Sequence, residues 1–280
     1  MPSPIPPRDR KVYFVGAGLS CAFRLPNTAS LLSEAMAFSK SPAGKWMQDE
    51  DFQPKLEKAF RFFYPDAEHT GFQPDVVDFF SALRTYLDVG AGLVGTGFGD
   101  APDLYRLLRR GIAHLLIDRT RRSRAMSGFA THDYLAEMVQ PGHIIITSNW
   151  DTVIEEFAAE HSTPLRLTSR TRKFETSEVV LLKLHGSLDW CQVHARTSHP
   201  DDDYAALREL QSPPRPYTPG LPSEDEDLVR VRASSTNAWR RVRSRSREPY
   251  MVTMATGKAD DLGPLREIWR DAYRALRARR

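Results

Sequence analysis

The chain is poor in cysteine, with only Cys21 and Cys191 among its 280 residues. Two cysteines so far apart in the sequence supply neither a four-cysteine zinc site nor a disulfide framework. No run approaches the ~18 apolar residues of a membrane-spanning helix, and MPSPIPPRDR at 1–10, which we expect to be disordered, has no apolar signal segment. We therefore expect a protein of the reducing cytoplasm with no membrane partner.

A strong charge of either sign is also missing. The net charge of +3 is small for this length and comes largely from arginine clusters, so it neither favours nor excludes a nucleic-acid partner. The two clusters are RTRRSR at 119–124 and RRVRSRSR at 240–247. Both are interpreted most simply as solvated surface. The alternatives are contact with phosphates for the first, and weak or indirect contact with nucleic acid for the second.

The stretch 11–32, KVYFVGAGLSCAFRLPNTASLL, is the element around which the rest of the chain is organised. Val12–Val15 is a short apolar run typical of a strand, and Gly16, Ala17 and Gly18 follow at once, ahead of a helical run. A strand that turns on glycines into a helix directs free N–H groups at one spot, which favours an anion such as pyrophosphate. The alternative is a tight turn without a ligand.

A dehydrogenase would need a different version of this motif. Its fingerprint has Gly or Ala at the sixth position, where this chain has Cys21, and an acidic residue about 20 positions further on, at a strand end. Glu34 lies near that distance, but it falls within 31–38, which has a helical pattern. Hydride transfer is therefore the weaker interpretation.

Residues from about 41 to 140 have the pattern of a helical insertion. The segments 52–64 and 75–87 carry apolar residues at helical spacing, and Pro102 opens a longer helix with a leucine-rich stripe. A last helix is predicted at 133–139. Strand-like runs precede and follow this region, so the sequence predicts an α/β fold. We expect a Rossmann-like parallel sheet with helices on both faces and a helical insertion after the first βα unit.

Two further units repeat the strand-and-turn design of the opening. The run 144–146 is continuously apolar, which is typical of a buried parallel strand, and 179–184 is a further strand; ligands bind at the carboxyl ends of such strands. The residues that follow them are Thr147, Ser148, Asn149 and Asp151 after the first, and His185, Gly186 and Ser187 after the second. Helix capping by Ser148 or Asn149 and a structural histidine are the alternatives. Three such strand ends at one sheet edge favour a binding site.

The three motifs together resemble those of the sirtuin family: GAGLS with Pro26 six residues after the serine, then TSNWD, then LHGS. The nearer resemblance is to the bacterial sirtuin-like branch, whose members are mostly NAD-consuming enzymes of antiphage defence. It covers roughly 11–190, with a looser likeness at 249–276. It implies NAD as substrate, no metal, and a second copy of the chain or a defence-system protein as partner.

The resemblance also implies roles for individual residues. In sirtuins the asparagine of T-x-N-x-D lies by the nicotinamide ribose and the histidine of the H-G motif acts as a base, so Asn149 and His185 are the catalytic candidates. The implied cofactor-binding residues are Gly16, Ala17, Gly18, Ser20, Pro26, Ser148, Asp151, Gly186 and Ser187. Because nicotinamide leaves as a neutral pyridine, a positioned amide and a base of near-neutral pKa suit the reaction better than an acid.

Differences from the sirtuin motifs reduce the number of activities that we expect of this protein. Deacylating sirtuins have a zinc module with two Cys-x-x-Cys pairs after the histidine, whereas 191–248 contains one cysteine here. The usual Gly-Ile-Pro is Arg24-Leu25-Pro26, and Asn27 replaces an acid. The function expected is therefore an NAD glycohydrolase that releases nicotinamide and ADP-ribose. A nucleotide-binding or scaffold module with little or no turnover is the first alternative, and an NAD-dependent protein deacylase is the second.

The last part of the sequence also departs from the family. Residues 11–280 are expected to form one domain, in which 195–249 is a loosely ordered loop because 198–227 is polar and proline-rich. The final helix should pack through one apolar stripe of Leu265, Ile268, Trp269, Tyr273 and Leu276. The family continues into a strand with a Gly-x-Ser turn, whereas this sequence ends earlier, so we expect an open sheet edge. A truncated product, an inactive relative, and a strand taken from another chain are the three explanations.

Overall fold

The computed structural model describes residues 10–70, 72, 74–90, 99–127, 133–166, 177–193, 228–230, 247–252 and 265–277. Of the basic run 240–247, only Arg247 lies within the described residues, and the predicted disordered segment 1–10 is described only at Arg10. Among the helices that the structure describes, none combines the length and apolar character needed to cross a bilayer.

A four-stranded parallel sheet lies at the centre of the fold. Its strands are β1 (Val12–Val15), β2 (Ile144–Thr147), β3 (Leu165–Arg166) and β4 (Val179–Lys183), in the spatial order β1-β2-β4-β3. Val15, Thr147 and Lys183 lie side by side in the register. The predicted α/β fold with a Rossmann-like sheet is confirmed, and the loops after β1, β2 and β4 leave the sheet at the same edge.

Helices account for most of the remaining described chain. They are α1 (Ala17–Ala22), α2 (Thr28–Ser39), α3 (Lys45–Asp49), α4 (Phe52–Phe63), α5 (Ala67–Thr70), α6 (Val76–Gly90), α7 (Ala101–Ser127), α8 (Asp133–Met138), α9 (Val153–Glu160) and α10 (Arg266–Arg277), with a 3-10 turn at Pro42–Gly44. Helices α3 to α8 lie between α2 and β2 in the chain. They form the helical insertion predicted after the first βα unit.

Buried side chains cover both faces of the sheet, because successive residues of a strand point to opposite sides. Ile145 and Leu181 face the larger core, which they share with apolar residues of α2, α4, α6, α7 and α9. Ile146 and Leu182 face a smaller core together with Ile268 of α10. The prediction of helices on both faces is confirmed.

The packing of α10 differs from the predicted apolar stripe. Leu265 and Ile268 are buried as expected, but the other three members are 40%, 60% and 51% exposed: Trp269, Tyr273 and Leu276. Ala272 and Ala275 are buried in their place. The prediction of one packed stripe is wrong because small alanines let the helix backbone approach the sheet, which leaves the larger side chains on its flank.

Strand β1 lies at an edge of the parallel sheet, as far as the described residues show. Phe14 in the middle of β1 is 66% exposed, although Ile146 opposite it on β2 is buried. The exposed ring lies on a face of the sheet, since side chains point away from its plane, so the expected open sheet edge stays a prediction.

A second, antiparallel sheet was not predicted. Strand β5 (Gly186–Val193) pairs with β6 (Leu228–Arg230) on one side and with β7 (Arg247–Met251) on the other. The segment 195–249, expected to be a loosely ordered loop, is corrected at 228–230 and 247–249, where the chain forms strands. Pairing with β5 satisfies their backbone groups, which a polar composition does not reveal.

The arginine cluster at 119–124 lies within α7 and joins it to neighbouring helices. Arg119 pairs with Glu34 of α2 at 2.5 Å, and Arg124 Nε lies 3.5 Å from Glu160 Oε2 of α9. The cluster is therefore more than a solvated face, and its contact with phosphates stays a prediction. Glu34 lies inside α2 and has an arginine partner, so it is not at a strand end, where a dehydrogenase needs its acidic residue.

Glu156 makes the contact between α7 and α9 sensitive to pH. Glu156 is 9% exposed, its Oε2 lies 3.7 Å from Arg124, and its Oε1 accepts a hydrogen bond from Thr152 at 3.0 Å. Burial raises the pKa of Glu156 above its usual value, against the opposing effects of Thr152, Arg124 and Arg121. Because the folded state binds this proton more tightly than the unfolded state, stability falls as pH rises from the unfolded pKa through the folded one.

We expect Glu156→Gln to raise the melting temperature by about 1–3 °C near neutral pH, because the buried negative charge is removed while the bond from Thr152 is kept. The gain should vanish below the unfolded pKa of a glutamate, about 4.3, where the wild-type side chain is protonated in both states. Thermal melts of both proteins at the two pH values measure the effect. A variant that is less stable at neutral pH would show that the pairing with Arg124 outweighs burial.

Candidate functional site

Three loops meet at the carboxyl edge of the parallel sheet. The backbone N–H of Leu184 donates to the carbonyl of Thr147 at 2.8 Å, which joins the loop after β4 to the end of β2. A Cβ built on Gly16 would lie 3.9 Å from the Oγ of Ser148, so the loops after β1 and β2 lie next to each other. The three loops that carry the predicted site residues therefore lie side by side, although they are distant in the sequence.

Asn149 connects the second loop to the first through its side chain. Its Nδ2 donates to the carbonyl oxygen of Gly16 at 2.9 Å and to the hydroxyl of Ser20 at 2.8 Å. Because a backbone carbonyl only accepts, the nitrogen of the amide must point inward. Both N–H donors are thus used within the protein, so that this amide serves a ligand only through Oδ1, as an acceptor.

Ser20 and Asp151 continue the same chain of hydrogen bonds. The hydroxyl of Ser20 donates to Asp151 Oδ2 at 2.5 Å, and Asp151 Oδ1 accepts from the N–H of Val153 at 3.1 Å, at the start of α9. Both side chains are buried. Ser20 thus holds Asn149 in place, and Asp151 holds Ser20. A direct contact of Ser20 or Asp151 with a cofactor stays a prediction. Asp151, rather than Ser148 or Asn149, bonds the first turn of α9.

The first loop offers backbone N–H groups to a ligand. Helix α1 begins at Ala17, directly after Gly16, and the first N–H groups of a helix have no acceptor within it. Gly18 is exposed, and a Cβ built on it would meet no described atom within 4 Å. Because α1 has only six residues, an anion here would depend on these N–H groups more than on the helix dipole.

Pro26 lies in the segment that links α1 to α2. Asn27 next to it caps α2, since its Oδ1 accepts from the N–H of Ser30 at 3.0 Å. Arg24 has a φ of 60°, in the left-handed region that glycine adopts at lower cost.

His185 lies in the turn between β4 and β5. Gly186 after it has a φ of 80°, which favours glycine at this position. The carbonyl of His185 accepts from the N–H of Val252 at 2.9 Å, and its ring centroid lies 6.2 Å from that of Trp269. Ser187 is buried, with its hydroxyl 3.5 Å from the Trp150 carbonyl, so it packs behind the second loop.

Sequence reasoning missed Lys183, the last residue of β4. Lys183 is only 1% exposed, and its ammonium group contacts the carbonyls of Trp150 and Asp151 at 3.3 and 2.5 Å and the carboxylate of Glu155 at 2.8 Å. A single lysine within the apolar run VVLLKL was the available signal, because lysine is rarely buried without partners.

Trp269 was also misjudged from the sequence, which placed it in the packed stripe of α10. Its indole N–H donates to the carbonyl of Leu184 at 2.9 Å, directly before His185. No sequence signal distinguishes this tryptophan from an ordinary core residue, because its role depends on where α10 packs.

The fold and these loops define an α/β protein with a Rossmann-like parallel sheet and a polar site at its carboxyl edge. Within the described residues, no three His, Cys, Asp or Glu side chains are grouped so as to hold a metal ion. Neither a scan against models of protein families nor a search of curated proteins finds a match for the chain. The residues of the site are therefore the basis for inferring a function.

Proposed function

We propose that this protein is a bacterial NAD glycohydrolase of antiphage defence, which cleaves NAD to nicotinamide and ADP-ribose. The observation that supports the proposal most is the hydrogen-bond chain through Asn149, Ser20 and Asp151, at the point where three strand ends meet. This chain fixes the amide of Asn149 against the glycine loop, and Asn149 follows β2, the strand between β1 and β4. A dinucleotide spanning these loops would meet N–H donors, an amide and an imidazole in turn.

Binding of the substrate follows from the groups that each loop presents. The backbone N–H groups of Ala17 and Gly18 suit the pyrophosphate, because Gly18 adds no side chain between the backbone and the ligand. Asn149 Oδ1 suits a hydroxyl donor, either on the nicotinamide ribose or on the attacking water. The two contacts would place the glycosidic bond between the first and second loops.

The reaction that these groups suit is hydrolysis of the N-glycosidic bond. The bond between C1′ of the ribose and the nicotinamide nitrogen breaks, and both electrons leave with the nitrogen, so nicotinamide departs as a neutral molecule. The oxygen of water adds to C1′, and its proton passes to the imidazole of His185 and then to solvent. Asn149 Oδ1 orients the attacking or neighbouring hydroxyl, and no acid is needed for the leaving group.

The cytoplasmic setting and the protein partners belong to the same proposal. Cys21 is a free and exposed thiol, which suits a reducing compartment. The exposed flank of α10, formed by Trp269, Tyr273 and Leu276, is apolar enough to contact a second copy of the chain or a defence-system protein. Neither a metal nor a nucleic acid takes part in the proposed reaction.

The proposal is tested by incubating the purified full chain with NAD, alone and in lysate from phage-infected cells, and separating the products by chromatography. We expect nicotinamide and ADP-ribose to appear in equal amounts. The proposal would be overturned if neither product forms under any of these conditions.

Gly18→Ala separates binding of the dinucleotide from the stability of the fold. The new methyl group meets no described atom within 4 Å, and alanine is a better helix residue than glycine, so we expect equal or slightly higher thermal stability. The same methyl group stands in the path of a phosphate approaching the backbone, so the KM for NAD should rise about 10-fold or more. Melting curves and initial rates provide the two measurements, and an unchanged KM would remove the pyrophosphate from this loop.

A binding module without turnover is the second candidate. The hydrogen bonds among Ser20, Asn149 and Asp151 use most polar groups of these side chains within the protein, which suits a site that holds a nucleotide without acting on it. Calorimetry with ADP-ribose and NAD separates the two functions. Binding of both without product formation favours the module, whereas product formation excludes it.

A further inference from the structure

The most unusual charged group in the described protein is the ammonium of Lys183, which does not belong to the proposed reaction. It is 1% exposed, and its three oxygen contacts come from one stretch, 150–155: two backbone carbonyls and the carboxylate of Glu155. The Glu155 side chain is 6% exposed. The ion pair is therefore buried on both sides.

The position of Lys183 links the two catalytic candidates. It is the last residue of β4, two residues before His185, and in the register it lies beside Thr147, two residues before Asn149. Its contacts reach the carbonyls of Trp150 and Asp151, which immediately follow Asn149. One side chain thus holds the loop of the amide against the strand of the imidazole.

Stability alone is a weak reason for such a group. A buried ion pair loses the hydration of both charges, and replacing it with apolar side chains of similar volume is often neutral or stabilising. The two backbone carbonyls would still need partners, but the charge itself is not required for a packed core. A charge kept in this place therefore points to control of loop geometry.

We propose that Lys183, paired with Glu155, is a positioning residue that fixes the 149–153 loop and thereby sets the geometry of Asn149 relative to His185. Its effect on turnover rests on the proposed function, whereas its effect on the loop does not. Because misplacement of a reacting group by about 1 Å can cost 10²-fold in rate, loss of this anchor should lower kcat far more than it alters KM.

The test compares wild type with Lys183→Met/Glu155→Leu, which removes both charges at similar volume and so avoids an unpaired buried charge. Amide hydrogen exchange and the kinetics of nicotinamide release are measured on both. We expect residues 149–153 to exchange about 10-fold faster or more, with β1 and β2 unchanged, and kcat to fall about 10²-fold. Glu155→Gln leaves the ammonium without a countercharge and should lower the melting temperature, but it keeps an acceptor for Lys183 and should therefore preserve loop protection and most of kcat.

Leu56→Ala is the matched control for a general loss of stability. Leu56 is buried in α4 of the helical insertion, so its truncation leaves a cavity there without touching the loops. This control should melt at a lower temperature but keep wild-type kcat and loop protection. The same loss of kcat in this variant would overturn the inference.

The results separate the inference from the proposed function. Unchanged loop exchange in the double variant overturns the positioning role, whatever happens to the rate, and so does a wild-type kcat. If the wild-type protein never releases nicotinamide, the proposed function fails and loop exchange alone decides for or against Lys183. If the double variant does not fold, Lys183→Gln/Glu155→Gln replaces it. If neither double variant folds, amide exchange of the wild type decides. Rapid exchange of residues 149–153 overturns the inference, and protection equal to that of β2 supports it.

Discussion

His185→Ala is expected to lower nicotinamide release by about 10²–10⁴-fold, the range that general acid–base groups contribute. The carbonyl of His185 is what accepts the hydrogen bond from Val252, and this contact survives the substitution. Stability should therefore change little, although the ring contact with Trp269 is lost. Chromatography of the products gives the rate, and a thermal melt checks the fold.

The control for His185 is His69→Ala, which removes an exposed histidine from α5 in the helical insertion. It should keep the wild-type rate. If His185→Ala releases nicotinamide as fast as the wild type, the imidazole is not the base and water must be deprotonated elsewhere. If it binds ADP-ribose as well as the wild type while releasing nothing, the role in the chemical step is supported.

The sequence predicts the central sheet well because its signals are local. The apolar runs that became β1, β2 and β4 each end in a polar or glycine-rich turn, and parallel strands necessarily bring those turns to one edge. The pattern also predicts that Asn149 lies near the glycine loop. What it does not give is the direction of the amide, since that depends on the Gly16 carbonyl, which contributes no side-chain signal.

Long-range packing accounts for the parts that were missed. Lys183 lies in an apolar run, and its partners on 150–155 are identified only once β2 and β4 pair. The predicted stripe of α10 includes the large Trp269, whereas the small Ala272 is the one that packs against the sheet, and Trp269 is left 40% exposed. The strands β6 and β7 exist because β5 offers two edges, a property of another segment of the chain.

The positions of Asn149 and Ser20 also change how the motif is interpreted. The sequence alone predicts that each polar residue and each glycine of these motifs contacts the cofactor directly. In the structure, Ser20 binds both Asn149 and Asp151, and Asp151 also binds the start of α9. Spacing alone cannot separate a residue that touches a ligand from one that holds its neighbour, because both require the same closeness.

Asn149→Ala is expected to reduce both stability and turnover. The substitution removes two hydrogen bonds, the one to the Ser20 hydroxyl and the one to the Gly16 carbonyl, which keeps its other bond from the N–H of Leu19, and this loss costs about 1–3 kcal/mol of unfolding free energy. It also removes the Oδ1 acceptor from the proposed substrate position. Loss of a positioned polar group of this kind lowers kcat by about 10²–10³-fold.

Asp75→Ala provides the comparison that separates these two effects. Asp75 caps α6 by accepting from the N–H groups of Val77 and Asp78, so its removal costs about 1 kcal/mol without touching the three loops. It should lower the melting temperature while kcat stays at the wild-type value. An Asn149→Ala protein that folds cooperatively and keeps wild-type kcat would show that the amide is only a structural link, and the reaction would then need another acceptor for the ribose or water.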